Sequence, residues 1–257
     1  MINNLMKQTF LTFFFVFLSI SVFGQMAAPR KEFYEIREYE LRFGSPVSNL
    51  ENYFKNALIP ALNRLGVKNV GVFKEIGKSE PAKIYVLIPY SSIEQYANIS
   101  VQIKSDDKFK EASQEYNSLL PDKAPYFRYT TSLLMAFDGL PQMIKPNVEQ
   151  RFFEMRTYES FSEDAARRKI KMFNEEEIKI FYQTKLNPVF FGEVIAGEHQ
   201  PCLTYMLTFK NMEERDANWK AFSADADWKR ISPLPEYANT VSRIIRVFLE
   251  PTTYSQI

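Results

Sequence analysis

The same eight-residue pattern occurs twice in this chain, as FYEIREYE at 33–40 and as FFEMRTYE at 152–159. Each copy opens a long block of sequence, and further landmarks recur at a similar spacing. Gly77, Pro81, Tyr85 and Leu87 of the first block correspond to Gly197, Pro201, Tyr205 and Leu207 of the second. Solenoid repeats have periods of about 20–50 residues. The longer period in this chain therefore indicates a duplicated domain.

The N-terminal residues have the composition of a signal peptide. Lys7 precedes an apolar run from Phe10 to Phe23, and the small residue Gly24 follows it. The run is shorter than the roughly 20 apolar residues of a membrane-spanning helix. We therefore expect residues 1–24 to be cleaved, leaving an exported protein, periplasmic or secreted, with no stable membrane anchor. An uncleaved N-terminal anchor is the alternative.

Charge and composition exclude several classes of function. The chain has 32 Lys and Arg against 31 Asp and Glu, so no basic excess predicts binding to nucleic acid. One histidine, His199, and one cysteine, Cys202, cannot assemble an ordinary zinc or copper site. We therefore predict no metal and no cofactor. We expect His199 to lie in a solvated turn and Cys202 to be a buried, inert thiol.

The elements predicted in the first block follow the order β-α-β-β-α-β, which is typical of a ferredoxin-like unit. Alternating side chains predict the first strand, and apolar residues at helical spacing predict a helix that Gly66 ends. Pro60 lies inside this helix and should kink it. The predicted strands are 33–41, 70–76, 84–88 and a last strand within 126–137.

The second block repeats this order of elements. Its long helical region should break at 173–174, because Asn174 with Glu177 three residues later has the spacing of a helix N-terminus. Glu175, Glu176 and Glu177 would then lie in a first helical turn, where the helix dipole favours negative charge; a metal-binding role of this acidic run is the alternative. The predicted strands are 152–159, 189–196, 203–209 and 240–249.

A glycine and two prolines mark residues 139–150 as a linker between the blocks. We therefore predict an α+β protein with two tandem ferredoxin-like domains, 32–138 and 151–250. Two such sheets in one chain can bury their open faces by packing face to face or by closing edge to edge into a barrel. The two blocks either close one barrel together, or each pairs with a second chain in a homo-oligomer.

The repeated strand carries a Glu-Arg-Tyr row on one face, because side chains alternate between the faces of a strand. The opposite positions are apolar, so we assign them to the face beneath the helices and assign the polar rows to the barrel interior. The candidate ligand-binding residues are Glu35, Arg37, Tyr39, Glu154, Arg156 and Tyr158. In this hypothesis the arginines hold an anionic or carbonyl group and the tyrosines orient it. The alternative is a structural ion pair in each copy, since buried charges persist only when they are paired.

The repeated E-x-R-x-Y motif, followed each time by a helix, resembles the NIPSNAP family. The stretch MFNEEEIKIFYQTKLNPVFFGEVIAG, from Met172 to Gly197, is similar to the more characteristic second copy of that family, as is the spacing to Trp219 and Trp228. The resemblance implies a tandem pair of dimeric α+β barrel domains. That superfamily includes haem-degrading and quinone-forming monooxygenases, dehydratases and non-enzymatic members. The family has no agreed catalytic residues, so the resemblance transfers the strand motif alone.

These observations lead to one main hypothesis and two alternatives. We expect an exported protein that binds a small, partly apolar molecule in an enclosed barrel cavity. One alternative is a non-enzymatic protein-interaction scaffold. The other is a cofactor-independent monooxygenase or isomerase-like enzyme, with Glu35 or Glu154 as the base. A void of a few hundred Å³ would favour the ligand, whereas an interior filled by Phe and Tyr would favour the scaffold.

Overall fold

Eight strands form one closed barrel in the computed structural model, which describes residues 30–77 and 79–257. The predicted signal peptide at 1–24 lies outside the described residues. The strands are β1 (Phe33–Leu41), β2 (Gly71–Glu75), β3 (Lys83–Tyr90), β4 (Tyr126–Ala136), β5 (Phe152–Glu159), β6 (Pro188–Ala196), β7 (Cys202–Phe209) and β8 (Arg243–Pro251). Their order around the barrel is β1-β3-β2-β8-β5-β7-β6-β4.

The two halves of the chain contribute equivalent parts of the barrel. Within the first half the strands lie in the order β4-β1-β3-β2, and within the second in the order β8-β5-β7-β6. All pairs are antiparallel, and the seams β2–β8 and β4–β6 join the halves. The predicted α+β class is confirmed, and the two blocks close one barrel within the chain.

Helices cover the outside of the barrel. They are α1 (Ser48–Tyr53), α2 (Ile59–Arg64), α3 (Ile93–Gln102), α4 (Asp107–Ala112), α5 (Gln114–Asn117), α6 (Glu163–Met172), α7 (Ile178–Gln183), α8 (Met212–Ala224) and α9 (Ala226–Ile231). Polar side chains cap several N-termini; the Asn211 side chain, for example, accepts a hydrogen bond from the backbone N–H of Glu214 at the start of α8. Within the described part of the chain, no helix is both long and apolar enough to cross a membrane.

The first helical region of each half contains a π-helical turn, at Phe54–Leu58 between α1 and α2 and at Phe173–Glu177 between α6 and α7. These turns occupy the same position when counted from the start of each repeat. The predicted helix break at 173–174 is therefore wrong, since the chain continues through a widened turn. Asn174 caps no helix; its Oδ1 accepts a hydrogen bond from the backbone N–H of Gly139 and so fixes the linker.

Three hydrophobic clusters hold this architecture together. One packs the first-half helices against the outer face of β1 and β3, and a second does the same in the other half. The third fills one end of the barrel interior, where Tyr34, Phe73, Phe153 and Phe190 are fully buried. The barrel is therefore closed at this end by aromatic side chains.

Strand β3 pairs with β1, and β7 with β5, at the same spacing, but the recurring hairpin residues lie one residue further along in the second half. Arg37 lies opposite Val86 in the first half, whereas Arg156 lies opposite Tyr205 in the second. A slip of one residue turns a side chain to the other face of a sheet. Tyr85 accordingly faces the barrel interior, and Tyr205 faces the helices. The correspondence of these two tyrosines holds along the sequence but not in space.

Candidate functional site

The two Glu-Arg-Tyr rows lie beneath the helices and not in the barrel interior. Tyr39 and Tyr158 belong to the clusters that pack against the helices, whereas Ile36 and Met155, on the opposite face of the same strands, belong to the interior cluster. The prediction that the polar rows line the interior is therefore wrong. Whether any of these six residues contacts a ligand stays a prediction.

In the first row, Glu35 is held by groups of the sheet itself. Arg37 donates two hydrogen bonds to it, from Nε to Oε1 at 2.7 Å and from Nη2 to Oε2 at 3.1 Å. The Tyr90 hydroxyl donates a third to Oε2 at 2.8 Å. Tyr39 stacks on Tyr129, with ring centroids 4.9 Å apart. This geometry is that of a structural ion pair, the alternative to ligand binding considered for these residues in the sequence analysis.

In the second row, Glu154 ties the sheet to helix α8. The carboxylate is fully buried and accepts hydrogen bonds from Arg156 at 2.7 Å, from Arg215 at 2.9 Å and from Trp219 Nε1 at 2.8 Å. Burial raises the pKa of Glu154, but the hydrogen bond from Arg215 and the charge of Arg156 outweigh it, so the pKa is lowered. The Arg156 guanidinium lies over the Trp219 ring, 3.7 Å from its centroid.

The tyrosines of the second half extend this row beneath the helices. Arg156 Nη1 lies 3.4 Å from the Tyr158 hydroxyl, which is 2.8 Å from the Tyr205 hydroxyl. The polar row can face the helices because α8 supplies its partners, Arg215 and Trp219. Neither Glu35 nor Glu154 lines the barrel interior, so the base that we proposed for an enzyme lies outside it.

The barrel interior holds a cavity of ≈ 470 Å³ above the aromatic end. Its depth is apolar, formed by Ile36, Met155 and Val247. Hydroxyl groups follow towards the mouth, and the Thr157 and Thr204 hydroxyls are 2.8 Å apart. The volume lies within the range of ligand pockets, about 300–1,000 Å³. The cavity therefore combines an apolar base with polar walls.

Charged side chains from the first half line one side of the mouth. Glu38 and Glu40 project from β1, Glu75 from β2 and Lys83 from β3. Lys83 Nζ lies 2.5 Å from Glu38 Oε1. Burial lowers the pKa of Lys83, but the hydrogen bond and charge of Glu38 outweigh it, and Glu75 and Glu40 add to this effect, so the pKa is raised.

The other side of the mouth is formed by the hairpin between β6 and β7. His199 lies in this turn with its side chain 45% exposed, and its Nδ1 is 3.1 Å from Glu159 Oε1. Glu159 Oε1 is also 3.6 Å from Arg243. Cys202 is buried, and burial together with the charge of Glu159 raises the pKa of its thiol to about 11. At neutral pH this thiol is protonated, as expected of an inert cysteine.

Sequence reasoning overlooked the polar residues that line the cavity. The signal was present in the repeated strand, because Tyr34 and Ile36 are followed on the same face by Glu38, whereas Phe153 and Met155 are followed by Thr157. A polar residue that ends an apolar row indicates where a barrel interior opens to water. Among the described residues, no group of three or more His, Cys, Asp or Glu side chains is placed to hold a metal ion.

Comparison with known proteins supports the fold and one family. Residues 153–256 match the family model NIPSNAP. No curated protein matches the chain at a significant level. A NIPSNAP family protein of unknown function from Agrobacterium tumefaciens is 18% identical, over 42% of this chain and 95% of its own, with a TM-score of 0.37.

Two solved structures share the fold over most of this chain. A candidate monooxygenase from Fusobacterium nucleatum is 10% identical, with a TM-score of 0.54 over 86% of this chain and 92% of its own. A candidate monooxygenase from Lactobacillus acidophilus is 9% identical, with a TM-score of 0.55 over 86% of this chain and 94% of its own. At these identities the likeness shows the fold alone.

Proposed function

We propose that this protein, whose second repeat is a NIPSNAP domain, binds a small, partly apolar molecule in the barrel cavity. The main support for the proposal is that side chains fill only one end of the barrel interior. Aromatic side chains fill one end, and ≈ 470 Å³ remain open towards the other. A scaffold that acts only through its outer surface has no need of this space, because a core packed to ordinary density is more stable.

A tryptophan at Ile245 should abolish ligand binding. Ile245 lies on the inner face of β8 and lines the cavity, so an indole there would occupy the space of the ligand. Ile244 is the matched control, because it lies on the outer face of the same strand and is 51% exposed. We expect native mass spectrometry to detect a bound compound in the wild type and in Ile244→Trp, but at most a tenth as much, roughly, in Ile245→Trp.

The comparison is valid for variants that keep the wild-type unfolding transition. Equal occupancy in Ile245→Trp and wild type would place the compound elsewhere on the protein. A wild-type protein that carries no compound and binds none from an extract of its source would contradict the proposal and favour the scaffold.

The finer organisation of the chain is part of the same proposal. The repeated order β-α-β-β-α-β and the matching strand orders of the halves support two tandem ferredoxin-like domains, 32–138 and 151–250, joined by 139–150. The apolar run before Gly24 supports export after removal of 1–24. We expect the mature protein to begin at Gln25 and to be recovered outside the cytoplasm. N-terminal sequencing of the fractionated protein tests both statements, and an intact N-terminus in the cytoplasm would contradict them.

A further inference from the structure

We propose that the molecule bound in the cavity carries an amino group, which is held as an ammonium beside Glu38 and Glu75. This inference rests on the proposed function, because it assigns chemistry to the ligand of the same cavity. Its basis is the distribution of charge and apolar surface within the cavity.

The first-half side of the mouth has more negative than positive charge. Glu38, Glu40 and Glu75 line it together with one basic residue, Lys83. The charges of all three carboxylates act on the Lys83 ammonium and raise its pKa. One cation among three carboxylates leaves an excess of negative charge on this wall, which a second cation would reduce.

The arginines around the mouth do not supply that second cation. Arg243 is 3.6 Å from Glu159, on the second-half side. Arg246 also lines the cavity, but its guanidinium lies over the Phe248 ring, 5.2 Å from the ring centroid, and its side chain is exposed. Arg128 is opposite Glu40 in the β1–β4 register, but its side chain is exposed and donates to the backbone carbonyl of Phe127.

Tyr85 and Ser79 favour the binding of a cation at the first-half wall of the cavity. Tyr85 is almost fully buried between Glu38 and Glu75, and burial followed by these two charges raises its pKa, so its hydroxyl stays neutral. Its ring adds an aromatic surface of the kind that attracts ammonium groups. The Ser79 hydroxyl donates to Glu75 Oε2 at 2.6 Å and fixes the position of that carboxylate.

The rest of the ligand should be apolar, because Ile36, Met155 and Val247 form the base of the cavity. The wall across the barrel has Thr157 at the position of Glu38, and its own carboxylate Glu159 lies 3.6 Å from Arg243. The amino group should therefore point to the first-half wall. The ligand class is a primary amine with a short aliphatic or aromatic body.

Three probes of one length separate the contributions of charge and apolar surface. Binding of hexylamine, hexanol and hexanoate to the mature protein would be measured by calorimetry at neutral pH, where the first is a cation and the last an anion. We expect hexylamine to bind at least about tenfold more tightly than hexanol, and hexanoate to bind most weakly. Hexanol or hexanoate binding as tightly as hexylamine would overturn the inference and leave the cavity as a ligand site.

Failure of the proposed function has a different signature, namely no binding of any of the three probes. Glu75→Gln provides a second test, because it removes one charge and keeps the size of the side chain. We expect it to weaken hexylamine binding about fivefold and to leave hexanol binding unchanged. Glu163→Gln, at an exposed position that begins α6, is the matched control and should change neither. Unchanged hexylamine binding in Glu75→Gln would contradict the assignment.

Discussion

Replacing Lys169 or Glu177 alone by leucine should lower the free energy of unfolding by about 3–5 kcal/mol, whereas replacing both should leave it unchanged or raise it. The two side chains form an ion pair beneath the second-half helices, with Lys169 Nζ 2.6 Å from Glu177 Oε2. Both residues are buried. A single replacement leaves the other charge buried without its partner, and an unpaired buried charge raises the free energy of the folded state.

The first repeat shows that the ion pair is not required by the fold. Counted from the start of each repeat, Leu50 lies at the position of Lys169 and Leu58 at the position of Glu177, and both leucines are buried. Burial raises the pKa of Glu177, an effect that Lys169 only partly offsets, so the carboxylate is held at an energetic cost.

Urea unfolding of the four proteins in the cycle measures the coupling between the two residues. The reciprocal pair in the first repeat, Leu50→Lys with Leu58→Glu, is the matched control and should be less stable than the wild type. If the effects of Lys169→Leu and Glu177→Leu add, the two side chains act independently and the expectation is wrong.

Glu154→Leu should destabilise the protein by about 3–5 kcal/mol, and by more than Glu35→Leu. Glu154 is the shared acceptor for Arg156, Arg215 and Trp219, so its loss removes the common acceptor of three partly buried donors and loosens α8. Glu35 is bound by Arg37, whose side chain is 20% exposed and can gain water in the variant. Equal losses in the two variants would show that the contacts to α8 add no stability.

The lowered pKa of Glu154 also predicts how stability depends on pH. Because the folded state favours the carboxylate, this stability is fully present above the ordinary carboxyl pKa of 4.5 and is lost as the pH falls through the lowered value. Unfolding free energies measured from about pH 6 to about pH 3 should therefore fall less steeply in Glu154→Gln than in the wild type. Parallel curves would contradict the prediction.

The sequence was sufficient to predict the order of elements, because each strand and helix has its own periodicity. It predicted the wrong face for Glu154 and Arg156, because that choice depends on where their partners lie. Arg215 and Trp219 occupy successive turns of α8, and they reach the outer face of β5 only in the folded chain. In the sequence alone, a row of polar side chains on a strand resembles a solvent-facing row. The hydrogen-bond partners that allow it to be buried become known only with the position of the helix.

The candidate site could be predicted in kind but not in detail. The recurring glycine, proline and tyrosine suggest that Tyr85 and Tyr205 are equivalent, yet they lie on opposite faces, because Tyr205 is one residue further from its repeated strand. The spacing contains this displacement, but pairing between strands decides whether a bulge absorbs it or the side chains change face. The cavity depends on this outcome, because Tyr205 in a position equivalent to that of Tyr85 would occupy the place of Thr204.

Closure of the barrel within one chain has a consequence for selectivity. A cavity at the two-fold axis of a homodimer is lined by two identical sets of residues. An asymmetric ligand can therefore bind such a cavity in two equivalent orientations. In this protein Glu38 and Thr157 line the cavity at equivalent positions of the two halves, so two such orientations would differ in energy. A barrel closed by one chain thus permits stereochemical discrimination, because each half can acquire substitutions that the other does not share.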